Sequence, residues 1–502
     1  MSCDQIAPAG VGMKLLSRHA AFIFVLVAYA SALAIQLDHG LASGDGHGVV
    51  HSVQTLLSSG KIDVSRPPGH PTTEIYFFGA VGWTLFNAFG IEFDDKIYLV
   101  GQAIAALAAL LVFYQLLLRI GASRGRAVLA AICLACSAQF LFNALDGEEF
   151  NFGLLFLLIS VQLLIPAPAT FIRLFLSISS FALATGCRPE LVFAAIIFPI
   201  YCLLDSRLGW KWALASVGLL ALSILIVWAP ILLVGVRAPY TAGMSLRESI
   251  LGGVYRIIFR AFTPMVCLLF SWTLIVSLRD LLKELKAKNS VFTMSCVVAL
   301  IFLAVFFLYP TKAAYLLATV PFLLILAVSR SLALILMFGF FSLLICVIGI
   351  DIFKDRQLVR PFVTRGGYSQ AIEQKPYYKL DYLRKISAQC ESRPAVIIGN
   401  AWPWDFEYHV EHNNFSAREQ DLHGEIKHDL PAFFASGEHC VFLPPEAVFE
   451  TALLKEWQQK GYAMKMDAQL YRTWFARYDV RSGPLPPTAD VSGVPFALFH
   501  VN

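Results

Sequence analysis

Residues 291–310 have the sequence VFTMSCVVALIFLAVFFLYP, a stretch of 20 residues that contains no charged side chain. A helix needs about 20 mostly apolar residues to cross the hydrocarbon core of a bilayer, so this stretch predicts a membrane-spanning helix. Eleven further apolar stretches lie before and after it, at residues 19–36, 74–92, 97–118, 127–144, 150–165, 170–186, 188–204, 212–235, 261–278, 312–328 and 331–350. The pattern predicts a mainly α-helical, polytopic membrane protein.

The composition of the whole chain agrees with this prediction. Of 502 residues, 57% are hydrophobic and 15% are charged, whereas an average soluble domain has about 45–50% and about 25%. These values exclude a disordered chain, a collagen, a coiled coil and an ordinary soluble enzyme. The net charge of +4 is too small to predict binding to nucleic acid, and the excess of Lys and Arg fits loops that orient membrane helices.

The composition changes near Asp351, where a mixed polar and apolar sequence begins. Residues 394–400 and 440–444 are predicted strands, and residues 377–390 and 446–460 are predicted amphipathic helices. We therefore expect a membrane domain over residues 1–350 and a small α/β domain over residues 351–502. Cys390 and Cys440 lie in this second part and form a disulfide if the domain faces an oxidising compartment.

The distribution of charge predicts the topology. Lys14 and Arg18 precede the first apolar stretch, which places the N-terminus in the cytoplasm. The following loops alternate between basic and acidic, and the basic ones fall on the cytoplasmic side with the N-terminus only if residues 74–92 do not cross the membrane. We therefore expect eleven transmembrane helices, a re-entrant or surface helix at residues 74–92 on the outer side, and an extracytoplasmic C-terminal domain.

The longest loop of the membrane half, residues 36–70, lies on the outer side in this topology. Its residues 46–59 place several apolar side chains on one helical face, so we expect a helix along the bilayer surface. Asp38 and Asp45 then lie where lipid meets water. The sequence RPPGHP at residues 66–71 predicts a rigid extended turn that orients Arg66 and His70.

Three further groups of ionisable residues fall on the same side, each at the end of an apolar stretch. Such residues are costly at a membrane helix end unless they are paired, hydrated or functional. One alternative is that each is a solvated loop end, but four such loops on one face favour a site. The groups are Asp146 with Glu148 and Glu149, Arg188 with Glu190, and Lys312.

The order of these motifs resembles the GT-C superfamily of membrane glycosyltransferases, in the branch of protein O-mannosyltransferases and bacterial lipid A aminoarabinose transferases. The resemblance covers about residues 14–350. It consists of a Gly-Asp before a surface helix, a Pro-rich element, an acidic loop, an Arg followed by an acid, and a Lys-x-x-Tyr-Leu-Leu segment, here Gly44-Asp45, residues 65–71, residues 145–149, Arg188 with Glu190, and residues 312–317.

The resemblance implies transfer of a sugar from a polyprenyl-phosphate donor to an acceptor hydroxyl, with inversion, at the outer face of a bacterial inner membrane. The acceptor is lipid A, another glycan or a protein. Asp45 is the expected catalytic base. No cofactor is implied with certainty; a divalent cation shared by the acidic loop stays open, and no metal ligand is assigned. The expected donor-phosphate ligands are Lys312, Arg188 and Arg66, and the expected substrate-orienting residues are Asp146, Glu148, Glu149, His70, Asp38 and Glu190.

Three other functions are compatible with a polytopic membrane chain. A secondary transporter often has two matching halves with interrupted helices, but the long first loop has no counterpart later in this sequence. A ligase or polymerase of lipid-linked polysaccharide also needs cations at the outer face. A structural subunit would not depend on its interior carboxylates.

Overall fold

The computed structural model describes residues 10–37, 44–61, 72–146, 150–165, 170–205, 208–234, parts of 250–262, 264–308, 313–355, 358–365, 395–399, 417–421, 440–443, 464–466 and 499–501. These residues are mostly helical. The helices are α1 Gly10–Leu37, α2 Gly44–Ser59, α3 Thr72–Phe89, α4 Asp95–Arg119, α5 Arg124–Ala135, α6 Ala138–Asp146, α7 Phe150–Leu164, α8 Phe171–Cys187, α9 Ile197–Leu204, α10 Trp210–Val234, α11 Pro264–Lys286, α12 Ser290–Leu308, α13 Thr319–Arg330 and α14 Leu332–Val347.

Four of the described helices are long and apolar enough to cross a membrane, which indicates a membrane protein. They are Asp95–Arg119, Trp210–Pro230, Pro264–Lys286 and Ser290–Phe307. α3 is not one of these four helices. Six further apolar helices in the described part of the chain are shorter than a membrane crossing requires. The larger number of spans expected from the sequence therefore stays a prediction.

Three apolar stretches that we expected to be continuous helices are broken. The stretch 127–144 divides at Cys136 and Ser137, where the Ser137 amide bonds to the Leu134 carbonyl and tightens the last turn of α5. The stretch 188–204 begins with a 3₁₀ helix, Pro189–Ile196, before α9. A second 3₁₀ helix, Ala313–Leu316, precedes α13. Apolar composition alone does not reveal such breaks, because both conformations bury the same side chains.

The helix of the first outer loop is covered by protein. Val49, Val50 and Val53 of α2 are buried in a cluster that includes Phe78 of α3 and Tyr98 of α4. The expectation that this apolar face rests on the bilayer surface is therefore wrong. The reason is that α3 and α4 pack against the same face and remove it from lipid.

A second contact that orders the bundle joins α7 to α8. The Ser177 hydroxyl bonds to the Ser160 carbonyl at 2.7 Å, and the Ser180 hydroxyl bonds to the Phe156 carbonyl at 2.8 Å. Small polar residues allow membrane helices to approach closely and link them through hydrogen bonds. These contacts fix the direction in which α8 runs, and α8 ends at the residue before Arg188.

The C-terminal part contains strands in two sheets. Strands β1 Ile348–Asp355 and β2 Leu358–Arg365 form an antiparallel pair. Five short strands form a second sheet in the order β4-β3-β5-β7-β6, with β3 parallel to β4 and β5. Their bounds are β3 Ala395–Gly399, β4 Ala417–Asp421, β5 Cys440–Leu443, β6 Met464–Met466 and β7 Phe499–Val501.

The predictions for this part can be compared element by element. The strands predicted at residues 394–400 and 440–444 are confirmed as β3 and β5. The predicted helices at residues 377–390 and 446–460 lie outside the described residues, and so does Cys390. The expected domain boundary at Asp351 lies within β1, because α14 ends at Val347 and the strand begins directly after it.

Candidate functional site

Arg188 lies at the junction of α8 and the 3₁₀ helix Pro189–Ile196, with an extended backbone (φ −138°, ψ 105°). Its side chain is 4% exposed. Nε donates a hydrogen bond of 2.8 Å to Oε1 of Glu190, and the same oxygen lies 2.8 Å from Nη2. Pro189 fits the first position of a helix, where its missing N–H costs nothing. The two charged residues of the sequence Arg-Pro-Glu thus form an ion pair with each other.

Two aromatic rings contact the guanidinium of Arg188. Its Cζ lies 3.7 Å from the ring centre of Phe150 and 5.1 Å from that of Tyr315, and the two rings are 5.8 Å apart. A guanidinium over an aromatic face is attracted by the ring quadrupole, more strongly when water is excluded. The pair with Glu190 and these rings together explain how a charged side chain can be buried here.

This contact brings together three of the predicted outer segments. Phe150 directly follows the acidic turn, and Tyr315 lies three residues after Lys312. The start of α7, the end of α8 and the 3₁₀ helix Ala313–Leu316 therefore meet around Arg188. Asp146 is the last residue of α6, and its side chain lies outside the described part, as do Glu148, Glu149 and Lys312.

α2 lies between the first two apolar stretches and belongs to an apolar cluster that extends to Cys187. Asp45 is the second residue of α2, and its side chain lies outside the described part. The buried face of α2 belongs to the same apolar cluster as Phe152 of α7 and Cys187, the residue before Arg188. α2 itself packs on α3 and α4, and the apolar cluster that they share extends to Phe152 and Cys187. The remaining predicted residues of this loop, Asp38, Arg66 and His70, lie outside the described residues.

The Pro-rich element leads into α3, whose first turn packs on the end of α8. The Thr73 hydroxyl donates a hydrogen bond of 2.9 Å to the carbonyl of Leu183. A Cβ at Gly186 would lie 2.2 Å from the Thr73 hydroxyl and 2.5 Å from Val227 of α10. Only glycine fits this position. Because Gly186 has no side chain, α3 and α10 can approach α8 two residues before Arg188.

Glu74, the third residue of α3, is a buried carboxylate that the sequence analysis did not select. It is fully buried, and Oε2 accepts hydrogen bonds from the Tyr98 hydroxyl at 3.0 Å and from Nε2 of Gln102 at 3.2 Å. An acid in the first turn of an apolar helix is a signal that could have found it, because an ionisable residue at membrane depth is costly and usually functional. Glu74 is thus a further acidic residue to consider, in addition to Asp45 and Glu190.

The arrangement favours binding of an anionic group at the end of the helix bundle. Arg188 is a fixed cation in a partly apolar setting, and a guanidinium matches the oxygens of a phosphate. Within the described residues no group of three or more His, Cys, Asp or Glu is arranged to hold a metal ion. The side chains of the acidic loop, for which the sequence leaves a shared divalent cation open, lie outside that part.

Comparison with known proteins adds no assignment to this geometry. No family model matches the chain, and no curated protein matches it.

Proposed function

We propose that this protein is a membrane glycosyltransferase that moves a sugar from a polyprenyl-phosphate donor to an acceptor hydroxyl at the outer face of a bacterial inner membrane. The observation that carries the proposal is the buried Arg188–Glu190 pair, whose guanidinium lies against the rings of Phe150 and Tyr315. An ionisable residue that is retained at the ends of apolar helices is a candidate functional residue even where it is paired. The convergence of three predicted outer segments on it supports a binding site.

The proposal includes the architecture expected from the sequence. It comprises eleven transmembrane helices, a cytoplasmic N-terminus, a membrane domain over residues 1–350 and an extracytoplasmic α/β domain over residues 351–502. The four long apolar helices and the short, broken helices around Arg188 support it. Broken helices occur within membranes where irregular backbone is covered by protein or lines an aqueous cavity.

The donor phosphate binds to Arg188, Lys312 and Arg66 in this proposal. Nε and Nη2 of Arg188 contact Glu190, so the phosphate oxygens bind to the edge formed by Nη1 and the second hydrogen of Nη2, whereas Lys312 acts as a point charge. As the sugar leaves, negative charge builds on the phosphate, and fixed cations in a partly apolar site stabilise that charge most strongly at the transition state. The isoprenoid tail of the donor stays in contact with the lipid bilayer.

Asp45 acts as the general base. The acceptor hydroxyl oxygen forms a bond to the anomeric carbon, the bond from that carbon to the phosphate oxygen breaks, and the hydroxyl proton moves to the carboxylate of Asp45. Attack from the face opposite the phosphate inverts the anomeric centre. The residues that orient the acceptor and donor are Asp38, His70, Asp146, Glu148, Glu149 and Glu190.

Purified protein in proteoliposomes with a radiolabelled polyprenyl-phosphate sugar tests this proposal. Asp45→Asn should abolish transfer but keep donor binding, because it removes the base and leaves the cations. Asp94→Asn is the matched control, because Asp94 is an exposed helix cap on α4 and Asn caps helices equally well. Near-normal turnover by Asp45→Asn would remove this residue from the mechanism.

A second pair of variants tests the phosphate ligands. Lys312→Ala should weaken donor binding, whereas Lys61→Ala, at an exposed lysine of the first outer loop, should leave it unchanged. Equal donor affinity of Lys312→Ala and the unmodified protein would refute the role of Lys312. Uptake of a solute without any sugar transfer would instead indicate a secondary transporter.

A further inference from the structure

We propose that the first turn of α7 is a positioning slot for Arg188, in which the ring of Phe150 and the missing side chain of Gly153 fix the direction of the guanidinium. The inference rests on the proposed role of Arg188 as a ligand of the donor phosphate. Neither Phe150 nor Gly153 needs to touch the donor. Both act through Arg188.

The ring of Phe150 fixes the plane of the guanidinium. The distance of 3.7 Å from Arg188 Cζ to the ring centre is a van der Waals contact distance, so the guanidinium carbon touches the face of the ring. Tyr315 lies farther away on the same guanidinium, at 5.1 Å. Phe150 is itself buried at 5% exposure and is therefore held in place by the bundle.

Gly153 makes room for the stem of the same side chain. A Cβ at this position would lie 3.0 Å from Cγ and 3.4 Å from Cβ of Arg188, and 3.1 Å from Leu191. Residues three apart on a helix share one face, so Phe150 and Gly153 contact Arg188 side by side. A methyl group at position 153 requires its neighbours, the stem of Arg188 and Leu191, to give by a few tenths of an ångström, and a shift of the stem changes the position of the guanidinium on the ring.

Glu190 completes the restraint within the plane. Its Oε1 contacts both Nε and Nη2 of Arg188, so rotation of the guanidinium in its own plane would break one of the two contacts. The ring of Phe150 thus limits tilting of the guanidinium, and the space at Gly153 determines where the stem lies. The carboxylate of Glu190 limits rotation of the guanidinium within its own plane. Together they determine which edge of the guanidinium meets a phosphate, and at what angle.

Replacements at position 150 test the ring. Phe150→Leu keeps an apolar side chain but removes the flat face, whereas Phe150→Tyr keeps the face. Because a misplacement of about 1 Å can cost about 100-fold in rate, we expect Phe150→Leu to lower kcat/KM for the donor about 10-fold or more. Phe150→Tyr should keep kcat/KM within about threefold of the value for the unmodified protein, because the aromatic face is retained.

A matched pair of glycine variants tests the slot. Gly153→Ala should lower kcat/KM in the same way as Phe150→Leu. Gly218→Ala is the control, because Gly218 lies within α10 and a Cβ there meets no atom within 4 Å. The amount of folded protein and its Tm are measured for every variant, so that rates refer to folded enzyme.

A double-mutant cycle separates positioning from a structural role. If Phe150 and Gly153 act through Arg188, their variants should cause little further loss in an Arg188→Lys background. Full additivity of the losses, or lower Tm with unchanged kcat/KM per folded molecule, would overturn the inference. An unmodified protein without any transfer activity would overturn the proposed function itself, and this inference with it.

Discussion

The Thr73 hydroxyl donates a hydrogen bond to the Leu183 carbonyl at 2.9 Å, which joins the first turn of α3 to the end of α8. The contact requires glycine at position 186, because a Cβ there would lie 2.2 Å from the Thr73 hydroxyl and 2.5 Å from Val227. The first outer loop thus ends on the helix that leads to Arg188. The close packing of α3, α8 and α10 therefore depends on Gly186.

Gly186→Ala should destabilise the protein, because the added methyl group forces α3 or α10 away from α8. Overpacking of this kind costs about 1–3 kcal/mol. Thermal unfolding of the detergent-solubilised protein measures the effect, and Gly218→Ala provides the control, since its methyl group meets nothing. The control should be neutral or stabilising by up to about 1 kcal/mol, because alanine favours helix. Equal changes in the two variants would contradict the predicted clash.

Glu74→Ala should destabilise the protein more than Tyr98→Phe does. The alanine variant deprives both the Tyr98 hydroxyl and the Gln102 amide of this acceptor, and each buried group left in this way costs about 1–3 kcal/mol. Tyr98→Phe removes one hydrogen bond and keeps the contact of Glu74 with Gln102, at a cost of about 0.5–1.5 kcal/mol. Unfolding midpoints of both variants decide, and a larger loss for Tyr98→Phe would disprove the order.

Asp45 and Lys312 should lie on the same side of the membrane. We expect single cysteines at both positions, in a background without reactive native cysteines, to be labelled by a membrane-impermeant maleimide added outside the cell. Arg279→Cys is the control for the opposite side, because Arg279 is an exposed residue of α11, seven residues before its end, and belongs to a predicted cytoplasmic loop. Labelling of Asp45→Cys and Lys312→Cys from opposite sides would disprove the common site.

The C-terminal end should lie outside the cytoplasm. A reporter enzyme that folds only in an oxidising compartment, fused after Asn502, is expected to be active. The same compartment allows a disulfide between Cys390 and Cys440, which a shift between reduced and non-reduced electrophoresis would detect. A reporter active only in the cytoplasm would reverse the predicted topology, and loss of the gel shift in Cys390→Ser would identify the bond.

The sequence was sufficient for the positions of most helices and two strands, because long apolar runs and short β-branched runs determine them locally. It did not predict the break at Ser137 or the 3₁₀ helix after Arg188, since an apolar run has the same composition whether or not its hydrogen bonds shift from i−4 to i−3. The packed face of α2 was also missed, because partners far along the chain cover it.

The candidate site was predictable only in part. Arg188 and Glu190 are two residues apart, so their pairing could be anticipated from the sequence. Phe150 and Tyr315 are separated from Arg188 by many residues, and no periodicity relates such positions. Glu74 was passed over because it stands inside an apolar stretch rather than in a loop, although its burial makes it the more unusual carboxylate.

The 3₁₀ helix Pro189–Ile196 has a mechanical consequence for the guanidinium that precedes it. Eight residues rise about 16 Å in this conformation but only about 12 Å in an α-helix. Its tighter winding therefore acts as a spacer between α9 and Arg188. Rewinding to α would shorten the segment by about 4 Å, so that α9 or Arg188 would have to move by this distance, and the pitch of one short segment thus sets the spacing between them.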